Sequence, residues 1–499
     1  MTTPPASSQS PAALQARHGP NYRWWLLLTV MIGTMASIMS STIVNVAVPD
    51  MSRVFTLGQE RAQWMSAGFM AAMTVSMLTT PWLLSRFGYR RTYGAVTLLL
   101  MAGGIGGGLG QSYGWVMAMR VAEGLAAGVM QPIPAIIILR TFGRGEQGRA
   151  MGIFGMGVVL APAVGPSIGG VLVEHFGWRS IFFVVVPLCL AALAMGRRFL
   201  PDTAPGGLAA GASGARLDWR GLALMAAFIL MLLNGMVQLH HAGAGQLPAP
   251  ALALLAGAAL VLVVFIAYQR RATDPLLNLQ LFSQGSFAAG GAVAFIYGMA
   301  LFGSTYLVPV FMQLALKLPP SQAGAVLFPA GVALALTIPV AGRLIDRLPI
   351  HVLVVGGVLL LALSFALMLG VDAGTALWVI TLWAVVGRIG LGMVLPSLNL
   401  GAMRGLEPPL IPQGASTINF LRQLGGAVGV SLIGIFLEWR LHAHGAALAD
   451  AGSAGKVAAF HEAFALLAFI TAAASLAAAR MRPRSSPAPS ASAPAESGQ

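Results

Sequence analysis

Runs of about twenty apolar residues recur fourteen times along this chain, and a helix of that length is what crosses the hydrocarbon core of a bilayer. Inside lipid every backbone N–H and C=O must be bonded within its own segment. The pattern therefore dictates an all-α, polytopic membrane protein with fourteen transmembrane helices. The expected spans are 24–48, 62–84, 93–112, 115–138, 150–173, 179–199, 219–239, 250–269, 286–311, 322–345, 351–370, 375–401, 414–437 and 462–480. An even number of crossings puts both tails on one side. Only 9% of the residues are charged, against roughly 25% in a soluble domain.

The basic residues orient this map. Of 29 lysines and arginines, 20 fall on the tails and the alternate loops of their side, six on the opposite loops, and Arg120, Arg388 and Arg422 inside spans. The positive-inside rule makes the tail side cytoplasmic. The net charge of +14 is thus topological, and no nucleic-acid partner is expected. Membrane lipid is the expected surroundings. The single cysteine, Cys189, excludes an internal disulfide and a multi-cysteine metal site. No P-loop lysine, H-E-x-x-H or G-x-S-x-G motif is present, which leaves ATP-driven transport by this chain and hydrolytic catalysis without support, so the chain is not read as an enzyme.

The two ends, 1–22 and 481–499, are rich in Ser, Pro and Ala and read as disordered tails. Leu200 to Asp218 is Gly/Ala-rich without periodicity and reads as a linker. The chain then divides into a six-helix half (23–199), the linker (200–218), two accessory helices (219–270) and a second six-helix half (271–480). The halves echo each other: Arg120, Gly124 and Pro132 in span 4 correspond to Arg388, Gly392 and Pro396 in span 12. Such parallel repeats are one layout of secondary transporters, with the substrate cavity where the halves meet. Span 5 carries Gly157, Ala161, Gly165 and Gly169 on one helical stripe, where a second helix can approach backbone to backbone. Pro162 and Pro166 remove N–H donors there, so a kink or hinge is expected. Gly103 to Gly110, GGIGGGLG, superposes three G-x-x-x-G pairs and reads as helix packing.

These segments together resemble the major facilitator superfamily, and within it the fourteen-spanning drug:proton antiporters of the EmrB/QacA type. Gly165-Pro166-Ser167-Ile168-Gly169-Gly170 is similar to the antiporter motif of span 5, STIVNVAVP (Ser41 to Pro49) to the span 1 signature, and RVAEGLAAG (from Arg120) to the span 4 motif. GWRSIFFVVVP (from Gly177), DPLLNLQLF (Asp274 to Phe282) and NFLRQLGGAVG (Asn419 to Gly429) resemble further segments of that branch. The departures are specific. Ser40 stands where the span 1 signature usually has an acid; Pro81 and Ser85 replace the usual glycine and aspartate of the first gating loop; Val185 replaces an asparagine; and Glu123 replaces a glutamine.

Glu123 lies one helical turn from Arg120, on the same face, at a depth where a charge must be paired or face a cavity. The pair is either a fixed structural ion pair or the proton-coupling device, with Glu123 carrying the proton in place of the missing span 1 acid. Arg388 and Arg422 have no acidic neighbour in their spans; they either satisfy backbone carbonyls or face the cavity, where they would favour anionic or neutral cargo. Asn45, Gln131 and Asn419 either line that cavity or bond between helices. Phe69, Met73, Phe295, Tyr306 and Phe311 are examples of the apolar surface expected around it. The resemblance implies a gating latch from Arg86, Gly88, Arg90 and Arg91 in the first half and Gly342, Asp346 and Arg347 in the second.

The resulting expectation is a proton-driven efflux carrier of amphipathic, drug-like compounds in a bacterial inner membrane, powered by the proton gradient with no cofactor and functional as a monomer. Alternatives are an exporter of one specific metabolite or organic or fatty acid, and a non-transporting sensor on the same fold. A periplasmic adaptor and outer-membrane channel, used by some members of that family, are candidate partners.

Overall fold

The computed structural model describes residues 10–57, 59–211, 214–241, 248–446 and 454–481. Residues 1–9 and 482–499 of the expected tails, with Arg482 and Arg484, lie outside the described residues. The described residues form helices joined by loops, without strands. A first set comprises α1 (Pro11–His18), α2 (Tyr22–Val54), α3 (Gln59–Met77), α4 (Thr80–Gly108), α5 (Tyr113–Met130), α6 (Ile133–Thr141), α7 (Gln147–Phe176), α8 (Ser180–Phe183) and α9 (Val185–Phe199). Then follow α10 (Trp219–His241) and α11 (Ala249–Gln269), and a second set of α12 (Gly285–Val310), α13 (Pro320–Ile345), α14 (Ile350–Leu367), α15 (Leu377–Met403), α16 (Ile411–Ala443) and α17 (Ala454–Ala479). Among the described residues eleven helical stretches are long and apolar enough to cross a membrane, or up to twelve if the pair 64–77 and 80–108, bent by 81°, is one span.

The packing repeats. In the first set α2 packs on α7 and α9, α5 on α3 and α4, and α4 on α9; in the second set α12 packs on α16 and α17, α15 on α13 and α14, and α14 on α17. The glycines anticipated for packing do that work where backbones approach. A Cβ at Gly103 would lie 2.6 Å from Glu123 Cγ, and one at Gly107 2.6 Å from the Phe182 ring. Without lipid-excluded area to gain, such close dispersion contacts are what hold membrane helices together.

One sequence expectation changes here. Residues 11–18, read as part of a disordered tail, form α1: Ser10 caps it, Pro11 opens it and Leu14 is buried. Tyr22 then donates to the Phe199 carbonyl at 2.8 Å, fixing the start of α2 against the end of α9. Helix α7 continues from 147 to 176 through Pro162 and Pro166. A non-helical interruption lies in α4, between the expected second and third spans, where Gly88 has φ 77° and ψ 174°. That conformation is open to glycine and hostile to a side chain.

The 200–218 stretch is non-helical where described and is pinned to α4: Gly211 N–H donates to the Ser85 carbonyl at 2.9 Å, and Trp82 Nε1 to the Ala215 carbonyl at 3.0 Å. Helices α10 and α11 pair with each other and rest on α3 and α16, through an apolar cluster that includes Leu78, Met225, Phe228, Phe265 and Leu276. Asp218, at the foot of α10, accepts from Tyr268 Oη and Gln269 Nε2 at the end of α11.

Candidate functional site

Arg120 and Glu123 are both buried in the interior of the first set, at 0% and 1% exposure. Their spacing on α5 brings Arg120 Nη1 to 2.6 Å from Glu123 Oε2. Neighbouring helices also bond the guanidinium, through Nη1 and Nε. Nη1 also donates to Ser40 Oγ at 3.0 Å and to the Ser40 carbonyl at 3.2 Å, Nε donates to the Met65 carbonyl at 3.3 Å, and the Phe69 ring lies 4.3 Å below its carbon. Ser40, on α2, therefore occupies the position from which the usual acid would meet this arginine. Two polar atoms of the pair have no partner, Arg120 Nη2 and Glu123 Oε1. Room for Glu123 comes from Gly103 and Gly104 of α4, whose missing side chains would fall against it.

A second constellation joins the two sets. Gln131, at the α5–α6 break, and Asn399, Asn419 and Arg422 of the second set line a cavity of about 20 Å³ between α7, α15 and α16. Arg422 Nη2 donates to Asn419 Oδ1 at 2.9 Å, and its buried Nε has no partner. A void that size holds about one water molecule, so in this conformation there is no room for a cargo beside Arg422. Arg388 lines a separate small cavity with Ser304 and Ser364 inside the second set. Both arginines lie within electrostatic reach of Tyr297, whose hydroxyl donates to the Leu391 carbonyl at 3.2 Å. Neither forms an ion pair among the described residues. Asn399 and Tyr297 were not singled out from the sequence, although each is an isolated polar group in an apolar run, which is a usable signal.

Asn45 does not join this cavity. It is exposed and accepts from Ser66 Oγ at 2.6 Å, a bond between α2 and α3. Phe69 and Met73 are buried within the first set, and Phe311 is enclosed by Phe460 and Phe464, so these three are core rather than cavity wall.

The two loops expected to act as a latch divide unequally. Arg90 donates from Nη2 to the Arg197 carbonyl at the end of α9, and Nη1 lies 3.6 Å from Asp202 Oδ1. It thus meets a helix C-terminus and a carboxylate, both within its own half of the chain. Gly88 packs on the backbone carbonyls of Asp202 and Thr203. Arg86, Arg91, Arg343 and Arg347 are exposed and make no ion pair among the described residues. The contact between the sets belongs to Asp346, whose Oδ1 accepts from Gly148 N–H at 3.2 Å at the start of α7, where a helix N-terminus favours negative charge. Burial outweighs the amides of Gly148 and Arg149 and raises the Asp346 pKa above its usual value. Arg140, at the end of α6, donates to the Pro408 carbonyl across the same junction.

The span 5 stripe packs against α2. A Cβ at Gly157 would lie 2.7 Å from Met31 Sδ, at Gly165 3.0 Å from Thr42 Oγ1, and at Gly169 2.7 Å from Ile43 Cγ1, all on α2 of the same set. Gly170 faces open space, Pro162 is half-buried, and the Pro166 side chain lies outside the described ones. The contact between the two sets lies elsewhere on α7. That contact uses the preceding turns of α7: Gly148, Gly152 and Gly155 meet Gly342, Pro339 and Ile338 of α13.

Relatives bear on this arrangement. The chain is 29% identical over 420 residues, covering 84% of it and 76% of the relative, to the tetracenomycin C resistance and export protein of Streptomyces glaucescens. It is 28% identical over 423 residues, covering 84% and 77%, to a multidrug resistance protein B homolog of Mycobacterium tuberculosis. Its fold matches the crystal structure of the human organic anion transporter MFSD10 (TETRAN), with a TM-score of 0.61 at 18% identity over 91% of this chain and 100% of that one. Residues 30–430 match the Major Facilitator Superfamily, and the chain belongs to that family of membrane transporters.

Proposed function

We propose that the protein is a proton-driven exporter of amphipathic, drug-like compounds, of the fourteen-spanning drug:proton antiporter type. The observation that carries this reading is the buried Arg120–Glu123 pair with Ser40 beside it. In the proposed mechanism Glu123 takes the proton. Protonation neutralises it and weakens its hold on Nη1 of Arg120, which keeps Ser40 and the Met65 carbonyl as partners. A carboxyl that alternates between arginine-bound and protonated forms can link proton uptake to a change in how α2, α3 and α5 pack. Cargo export follows from the relatives, which are named for resistance and export.

The two packed sets are the two rocking six-helix halves, with α10 and α11 as the accessory pair. Fourteen crossings are reached by counting α7, 30 residues long, and by treating Gly88 as the turn between two spans. The arginine bias supports cytoplasmic tails in a bacterial inner membrane. On that orientation, the contact of Gly148 with Asp346 lies on the cytoplasmic side. Arg388 and Arg422, without carboxylate partners, favour a second reading in which the cargo is an organic acid.

Proteoliposomes with an imposed pH gradient test the proposal. Substrate addition should release protons through the wild type, and Glu123→Gln should abolish that release while leaving insertion intact. Normal coupled transport by Glu123→Gln would sink the assignment, and no proton movement in the wild type over a broad compound panel would favour a sensor.

A further inference from the structure

The repeat between the two sets breaks at one place. Arg388 of α15 stands where Arg120 stands on α5, but the residue that follows it by one helical turn is Leu391 and not an acid. In the first set Glu123 meets the guanidinium at 2.6 Å. In the second, the group within electrostatic reach of Arg388 is Tyr297, a phenol whose hydroxyl donates to the Leu391 carbonyl. Arg388 makes no hydrogen bond and no ion pair among the described residues. Its N–H donors are also within reach. The unpartnered nitrogens of Arg120 and Arg422 are sealed from water, whereas those of Arg388 are not, and the half-buried side chain lines a cavity of about 30 Å³ between α12, α13, α14 and α15.

The wall of that cavity carries no acid. Leu391 lines it together with Val308, Leu327 and Phe365, and its two hydroxyls, Ser304 and Ser364, donate to the Leu301 and Trp383 carbonyls. The site therefore has a net positive charge. A charge inside a span is costly unless it is paired or faces water, and an arginine cannot shed its proton to escape that cost. The partner that fits is small and singly charged. Roughly one or two water-sized groups fill a void of that size, which excludes a carboxylate with a tail, and a multivalent anion would leave excess negative charge among apolar side chains. A guanidinium is weakly hydrated, so it pairs best with an anion that also gives up its water readily, as a halide does. We propose that Arg388 holds a chloride ion, in the place that Glu123 takes beside Arg120. The ion neutralises the arginine and lets the second set keep it in the membrane interior without an acid of its own. It is a structural ligand rather than cargo, and its presence does not depend on which compound is exported.

Radiochloride binding to the purified full-length protein, in chloride-free buffer with gluconate as the counter-ion, tests the proposal. The wild type should show one saturable site from which bromide displaces chloride and gluconate does not. Arg388→Gln should weaken binding about tenfold or more, the scale of a charge-assisted bond, and Arg422→Gln should leave it unchanged. Leu391→Glu restores the spacing of the Arg120–Glu123 pair, so it should abolish chloride binding and give a melting temperature that no longer rises with chloride, as that of the wild type should. This variant keeps the arginine and serves if Arg388→Gln does not fold. Absence of a saturable site in the wild type overturns the proposal, as does displacement by gluconate as readily as by bromide. Binding that survives both Arg388→Gln and Leu391→Glu but is lost in Arg422→Gln would place the anion at Arg422 and equally overturn the assignment.

Discussion

Arg120 donates from Nη1 to Ser40 Oγ at 3.0 Å across the α2–α5 contact, and from the same nitrogen to Glu123 at 2.6 Å. The position of the usual span 1 acid is thus still coupled to the arginine, through a hydroxyl that cannot carry the negative charge. If Glu123 has taken over the carboxylate role, the two positions are interchangeable. Glu123→Gln should lose proton-coupled export, and Ser40→Asp added to it should restore a substantial part. Ser40→Ala alone should cost about 1 kcal/mol of stability, the worth of one hydrogen bond. Vesicle transport and thermal melting read these out, and failure of Ser40→Asp to rescue would separate the two positions.

Glycines on the two faces of α7 should fail in different ways. Gly342→Val places branched carbons against the backbone of Gly148 and Gly152, so it should open the contact between the sets and abolish transport with little effect on folding of either set. Gly165→Val and Gly169→Val press on Thr42 and Ile43 inside the first set, and such overpacking typically costs about 1–3 kcal/mol. Cross-linking of cysteines placed across α7 and α13 should fall in Gly342→Val and persist in Gly165→Val. Equal cross-linking in both would contradict the division of labour.

The junction at Asp346 carries a pH dependence with a definite sign. Burial raises its pKa in the joined conformation, so that conformation binds the proton more tightly than one in which the carboxyl is free in water. The ionised carboxylate opposes joining above the raised pKa, and this opposition is relieved as pH falls through it. The joined population should therefore rise on acidification from neutral pH, measured by spin-label distances across α7 and α13. Asp346→Asn should be joined at all pH values and lose the dependence. A joined population that falls on acidification would mean the amides of Gly148 and Arg149 dominate over burial.

Gly88 makes a prediction about side-chain type. With φ 77° and ψ 174° it lies outside the left-handed pocket that asparagine tolerates, whose ψ is near 30–60°. Gly88→Asn should therefore be as harmful as Gly88→Ala, each costing about 1–3 kcal/mol of strain besides the clash with the Asp202 carbonyl. Expression level and melting temperature of the two variants check this. A mild asparagine and a harmful alanine would point to a left-handed turn instead.

Much of this protein is written along the chain. Helices, their approximate ends and the repeat depend on local apolar length and spacing, because a bilayer forces each segment to satisfy its own backbone. The Arg120–Glu123 contact was legible for the same reason: residues three apart on a helix share a face wherever that helix is placed. What surrounds them was not legible. Ser40 and Met65 reach Arg120 only through the packing of α2 and α3 on α5, and Asn399 joins Gln131 and Arg422 only where α5, α15 and α16 meet. The span 5 stripe shows the limit most clearly. Its spacing determined that some helix would press against Gly157, Gly165 and Gly169, but a stripe of small residues carries no label for its partner. Tertiary structure decided that the partner is α2, and gave the contact between the sets to Gly148, Gly152 and Gly342. Which face of a helix meets which neighbour depends on contacts between residues far apart in the chain, and only the folded packing fixes those.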